Sequence, residues 1–253
     1  MTTKHLTTIA LSLVLSTVLC SGCKSSRQHQ VLVVILDLTA STESDGRAVA
    51  FESVQRWFTQ KTIHRGDTII IIPITGDALT ETQGKILRFE VSETRSNYDQ
   101  DLRDLAVKVS DSLKEMEREA KQNPYKFSDV LGAFRLASEE LGRYDGKSRR
   151  ILIALTDFIQ DDQQASFKSI PQLANKLAAI RFARELAESH PADLNAQMVY
   201  LGWLRSSDLK KMAPSRRDAL AAFWKEYIRV QGAQHVIEAT DGPGGLERVI
   251  KAD

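Results

Sequence analysis

Three apolar runs constrain this chain more than any other feature. VLVVIL at Val31–Leu36, DTIIIIPI at Asp67–Ile74 and RRILIALTD at Arg149–Asp157 are aliphatic and largely β-branched. None has the in–out alternation of a half-exposed strand. Such segments suit strands buried on both faces, the condition of a parallel sheet covered by helices on each side. The first run drives into Asp37, followed at alternate positions by Thr39 and Ser41. The third ends in Thr156 and Asp157. A buried strand that ends in a carboxylate needs a reason.

Helical patterns alternate with these runs. Ala48–Gln60 is expected to be a helix with Val49, Val54, Trp57 and Phe58 on one side. Asp99–Lys121 repeats Leu102, Leu105, Val109, Leu113 and Met116 at three- and four-residue steps, an amphipathic helix. Further helices are expected at Phe127–Leu141, at Pro171–Ser189 with its proline in the first turn, and at Pro214–Gln231, with a helical turn at Leu246–Lys251. KILRFEV, Lys85–Val91, alternates and follows a strand with no intervening helix, so it reads as an antiparallel edge strand. Ala196–Trp203 and Ala233–Ala239 complete the strands. The expected class is α/β: a doubly wound, mostly parallel sheet with one antiparallel edge strand and helices on both faces. Ligands of such sheets sit beyond the carboxyl ends of the strands, where strand order reverses.

The amino-terminal region is of another kind. Lys4 and His5 precede an uncharged stretch, Leu6–Leu19, and then CSGC, Cys20–Cys23. Residues 1–22 read as a signal peptide, too short for a comfortable membrane span, although a retained anchor helix is the alternative. SGC resembles a bacterial lipobox, which would make Cys23 the lipidated first residue of the mature chain. Lys24 behind it, rather than Asp, resembles the pattern of lipoproteins sent to the outer membrane, facing the periplasm. Residues 23–30 are then the lipidated cysteine and a polar tether, and residues 31–253 the working domain. That domain contains no cysteine, hence no disulfide and no thiolate ligand. With 34 basic and 33 acidic residues, there is no electrostatic case for nucleic acid, and the membrane is reached through the lipid alone.

Each polar residue at the strand ends has an ordinary reading on its own. Asp37 can cap a helix, Thr39 and Ser41 can make turn bonds, Asp157 can sit in a loop, and Ser128 or Asp129 can cap the helix that follows. Together they form an oxygen-only donor set suited to a hard divalent cation. Residues two apart in an extended loop project to one side, so Asp37, Thr39 and Ser41 can converge.

Asp37-x-Thr39-x-Ser41, then Ser128, then Thr156-Asp157 resembles the metal-ion-dependent adhesion site of von Willebrand factor A domains. The resemblance spans Val31 to the carboxyl terminus and includes Gly202 at the end of a strand. It implies an ion (Mg2+, with Mn2+ or Ca2+ as variants) held by Asp37, Thr39, Ser41, Ser128 and Asp157, with a protein partner's acidic residue filling an open position. Thr39 and Ser128 exchange one hydroxyl residue for another relative to that pattern. Phe158 stands where the family usually has Gly, a departure expected to crowd the approach to the ion or shift the loop.

Two other readings remain open. A haloacid-dehalogenase-type phosphatase also begins with Asp after its first strand, and Thr75 and TDFIQDD, Thr156–Asp162, could imitate its later motifs. Its second Asp is absent, because Thr39 stands there. A scaffold with a vestigial metal site is the third. The scattered histidines His64, His190 and His235 suggest no nucleophile–base pair. KEMEREAKQ, Lys114–Gln122, reads as a solvated helix face. The basic stretch Trp203–Asp218 reads as a solvated loop, or as a rim that steers an acidic partner.

Overall fold

The computed structural model describes residues 27–59, 62–93, 97–144, 146–162 and 165–239. Cys23, the signal-like segment and Leu246–Lys251 lie outside them. Six strands form one sheet: β1 (Gln30–Asp37), β2 (Thr68–Ile74), β3 (Leu87–Glu90), β4 (Arg149–Thr156), β5 (Met198–Trp203) and β6 (His235–Ala239). Their spatial order is β3-β2-β1-β4-β5-β6. Only β3 runs antiparallel, pairing Thr68 with Glu90 and Ile71 with Leu87. Among the described residues no helix is long and apolar enough to cross a membrane.

The apolar runs are buried because alternate residues serve two cores. Val31, Val33, Ile35, Ile70, Ile72, Leu152 and Ala154 face one cluster. It is closed by α3 (Val130–Gly142), α4 (Lys176–Ser189) and α6 (Pro214–Val230). Leu32, Val34, Leu36, Ile69, Ile71, Ile151 and Ile153 face the other. That side is closed by α1 (Ser44–Thr59) and α2 (Tyr98–Gln122). A short helix, α5 (Ser207–Lys211), follows β5. This is the doubly wound α/β class expected from the pattern. Winding changes direction between β1 and β4, the two central strands.

Several boundaries differ from the sequence reading, each for a local reason. Pro171–Ser189 is not continuous. A 3-10 turn, Pro171–Leu173, is followed by Asn175 in extended backbone (φ −153°), whose side chain accepts from Ala178 N at 3.0 Å and starts α4 afresh. Phe127 and Ser128 precede α3 rather than opening it, because Asp129 is the cap and accepts from Gly132 N at 2.9 Å. The helix expected from Ala48 starts at Ser44. Its inward face is Ala50, Phe51, Val54 and Trp57, whereas Val49 is 46% exposed. Five positions separate Val49 from Val54, which places it about 140° away around the helix. The Phe58 side chain lies outside what the structure describes. On α2, ion pairs Lys114–Asp111, Arg118–Glu115 and Lys121–Glu117 occupy the outer face, as its charge pattern suggested.

Candidate metal centre at the carboxyl edge

Asp37 is the last residue of β1, paired with Ile74 of β2 and only 2% exposed. Its carboxylate organises the loop that follows. Oδ1 accepts from Thr39 N at 2.9 Å and from the Thr39 hydroxyl at 2.6 Å. Oδ2 accepts from the Thr156 hydroxyl at 2.7 Å, which ties the ends of β1 and β4 together. The Thr39 and Ser41 hydroxyls lie 3.2 Å apart, and Ser41 donates to Asp157 Oδ2 at 3.3 Å. Asp37, Thr39, Ser41 and Asp157 thus form one hydrogen-bonded chain across the switch point. A carboxylate ends the strand because it closes the turn that aligns the hydroxyls.

Asp157 is fully buried, and its Oδ1 accepts from Ile159 N at 2.9 Å. Burial, followed by the nearby Asp37 carboxylate, pushes its carboxyl up to about 7, against the pull of the Ile159 N–H and the Ser206 and Ser41 hydroxyls. A buried Asp157 carboxyl beside a second carboxylate favours keeping its proton or taking a cation.

Ser128 enters from another direction. Its backbone pairs with Asp161 in both directions, at 2.6 and 2.9 Å, and Asp129 N donates to Thr75 O at 2.9 Å. The residue is held firmly and is 4% exposed, yet its hydroxyl has no hydrogen-bond partner. A buried hydroxyl without a partner is unfavourable by roughly 1–3 kcal/mol. Ser128 lines a cavity of about 20 Å³ together with Thr39 and Ser41. That is room for a species the size of one water. The structure links four of the predicted ligands in one hydrogen-bonded chain, and Ser128 shares the cavity with two of them, Thr39 and Ser41, alongside Asp161 and Lys168, while the Asp37 and Asp157 carboxyl groups lie behind those two hydroxyls. Among the described residues no three His, Cys, Asp or Glu side chains gather in a metal-sized group. The donor set here is two carboxylates and three hydroxyls, which fits a hard cation that keeps part of its water.

Phe158 does not crowd this cavity. Its backbone has φ 59°, the left-handed region that suits Gly, and this turns the ring into the core. The ring is fully buried, 4.5 Å from Trp203 and 5.8 Å from Trp224 between centroids. Its carbonyl accepts from Trp224 Nε1 at 2.8 Å. Aromatic packing and this bond hold a conformation that a bulky residue rarely adopts.

Two residues outside the five expected ligands, Thr156 from the motif and Ser206, complete the surroundings. Thr156 donates to Asp37 and accepts from Phe158 N at 3.1 Å. Ser206 is fully buried, bonds Asp157, and caps α5 by accepting from Leu209 N at 3.1 Å. A serine before Asp208 just past a strand, the pattern of an N-cap with an acidic first turn, was the available signal for Ser206. Thr75, considered as a phosphatase-type residue, engages the Thr82 hydroxyl at 2.7 Å and the Asp77 carbonyl at 3.0 Å. In the basic stretch, Lys210 pairs with Glu43 at 2.5 Å and Arg216 donates to the Phe167 and Ile170 carbonyls. A groove of about 490 Å³ runs beside it, lined among others by Trp203, Leu204, Arg205 and Arg217.

No protein-family model and no curated protein matches this sequence. Solved structures with a similar course include the open form of the pilus adhesin SpaC from Lactobacillus rhamnosus GG. It shares 9% identity at a TM-score of 0.47, over 90% of this chain and 30% of the adhesin. Manganese-loaded TRAP protein from Plasmodium vivax shares 9% identity at 0.39, over 79% of this chain and 74% of that one. A von Willebrand factor type A protein from Catenulispora acidiphila shares 11% at 0.35, over 82% and 43%. The chain thus spans less than a third of the adhesin's length. The fold stands on its own strand order rather than on these remote likenesses.

Proposed function

We propose that this is a lipid-anchored binding module of the von Willebrand factor A type, which grips a protein partner through a divalent cation at the carboxyl edge of its sheet. The observation that carries the reading is the unpartnered, buried Ser128 hydroxyl facing a small cavity shared with Thr39 and Ser41, beside two buried carboxyl groups. A cation there gives that hydroxyl a partner and offsets the carboxylate pair. Asp37, Thr39, Ser41, Ser128 and Asp157 would hold it. The ion, Mg2+ or Mn2+, would supply a coordination position for an acidic side chain of the partner. Of the three readings, the phosphatase gains no support from Thr75. The vestigial reading gains no support from Phe158, whose ring packs into the core rather than over the site. On the amino-terminal side, Cys23 would carry the lipid and hold the domain on the periplasmic face of an outer membrane.

Thermal unfolding with and without Mg2+ tests the site. At a hundredfold excess over Kd, bound metal stabilises the wild type by about 2.7 kcal/mol. Ser128→Ala should keep or slightly raise metal-free stability, since it deletes an unpartnered polar group, while losing most of the Mg2+ effect. A large loss of metal-free stability with an undiminished Mg2+ response would contradict the assignment.

A further inference from the structure

We infer that the domain is strapped to its membrane by the amino edge of the sheet, so that the metal site at the opposite pole faces away from the bilayer and meets a water-exposed protein partner. The inference rests on the anchoring at Cys23 proposed above and adds the pose.

The strap is visible where the described chain begins. The Arg27 guanidinium donates to both oxygens of Asp67, at 3.2 and 3.3 Å. Asp67 is 1% exposed and also accepts from Gln30 N at 2.9 Å and His64 N at 2.8 Å. On the other side of β1, the Gln28 side chain donates to the Lys147 carbonyl, and the His29 carbonyl accepts from Arg149 N at 2.7 Å. Residues 27–30 are thereby tied to the segments that enter β2 and β4, and the chain belongs to the fold from Arg27 onward. A charged side chain bound to a buried carboxylate is not a free tether.

Only Lys24, Ser25 and Ser26 separate Cys23 from this clamp. Four chain steps reach at most about 14 Å. The amino edge therefore stays within that distance of the lipid surface. From there β1, with its 8 residues, carries the chain about 23 Å to Asp37. A body held so closely at one pole presents the other pole outward. The kind of partner follows: a protein exposed to water on the far side of the domain, rather than one embedded in the same bilayer.

The test uses the full chain with its own amino terminus, reconstituted into vesicles whose headgroups carry a nitroxide quencher. No cysteine follows Cys23, so an introduced cysteine is a unique site for a fluorophore. Gly146→Cys places one at the amino edge, where an added Cβ meets open space. Ser207→Cys places one at the carboxyl edge, at an exposed position. The probe at 146 should be quenched several-fold more than the probe at 207. A ten-residue Gly-Ser spacer after Ser26, roughly 17 Å in root-mean-square reach, should narrow the difference. Equal or reversed quenching in vesicle-bound protein would overturn the pose and leave the anchor standing. Failure to float with vesicles would overturn the anchor, and the pose with it.

Discussion

At the scale of single residues, the buried Asp37 and Asp157 carboxyl groups govern the candidate metal centre. The Asp157 carboxyl, pushed up to about 7 by burial and by Asp37, holds a proton more tightly folded than unfolded. Folding then takes up a proton between about pH 4 and pH 7, so metal-free stability falls as pH rises through that window. Asp157→Asn should flatten this slope, as read from urea midpoints at several pH values. Mg2+ must displace the same proton, so its affinity for the wild type should rise with pH up to about 7 and level off above it. Phe158 supplies a contrasting prediction. Phe158→Ala removes a fully buried ring from the Trp203–Trp224 cluster and should destabilise by about 3–5 kcal/mol in urea unfolding. Mg2+ binding should survive, because the ring faces the core. That Asp37, Thr39, Ser41 and Asp157 meet at the carboxyl edge was legible in the sequence, since strand ends and alternate positions are local facts, whereas Ser128, just before a helix, was suggested by the family resemblance. The inward turn of Phe158 was not legible, because it depends on Trp203 and Trp224, which lie far along the chain.

At the scale of elements, the continuously apolar strands declared themselves. Their two-sided burial follows from composition alone, and the edge strand β3 was visible in its alternation. Helix boundaries were harder. Asn175 breaks the expected Pro171–Ser189 helix by capping α4, and Asp129, as the cap, sets the start of α3 three residues after Phe127. In both, a short polar side chain competes with the helix for backbone bonds, and hydrophobic spacing does not report that competition. Gly202 of β5 shows how closely elements meet near the site. An added Cβ would lie 2.5 Å from Leu155 Cδ2 and 3.1 Å from Tyr200 Cε1. Gly202→Ala should therefore destabilise by about 1–3 kcal/mol through overpacking of β4 against β5, measured by thermal unfolding.

At the scale of the whole molecule, the sheet separates two tasks. Its amino edge receives the clamp of Arg27 on Asp67, and its carboxyl edge carries the hydroxyls and carboxylates. Between them lie two apolar cores that hold the poles apart. Calorimetric titration of Mg2+ and Mn2+ into the chain from Lys24 onward decides whether the carboxyl edge holds a divalent cation. Saturable one-to-one binding is expected, and it should vanish in Asp37→Ala while the variant stays folded by circular dichroism. Heat indistinguishable from dilution up to millimolar metal, or equal binding by wild type and Asp37→Ala, would contradict a cation site at that edge.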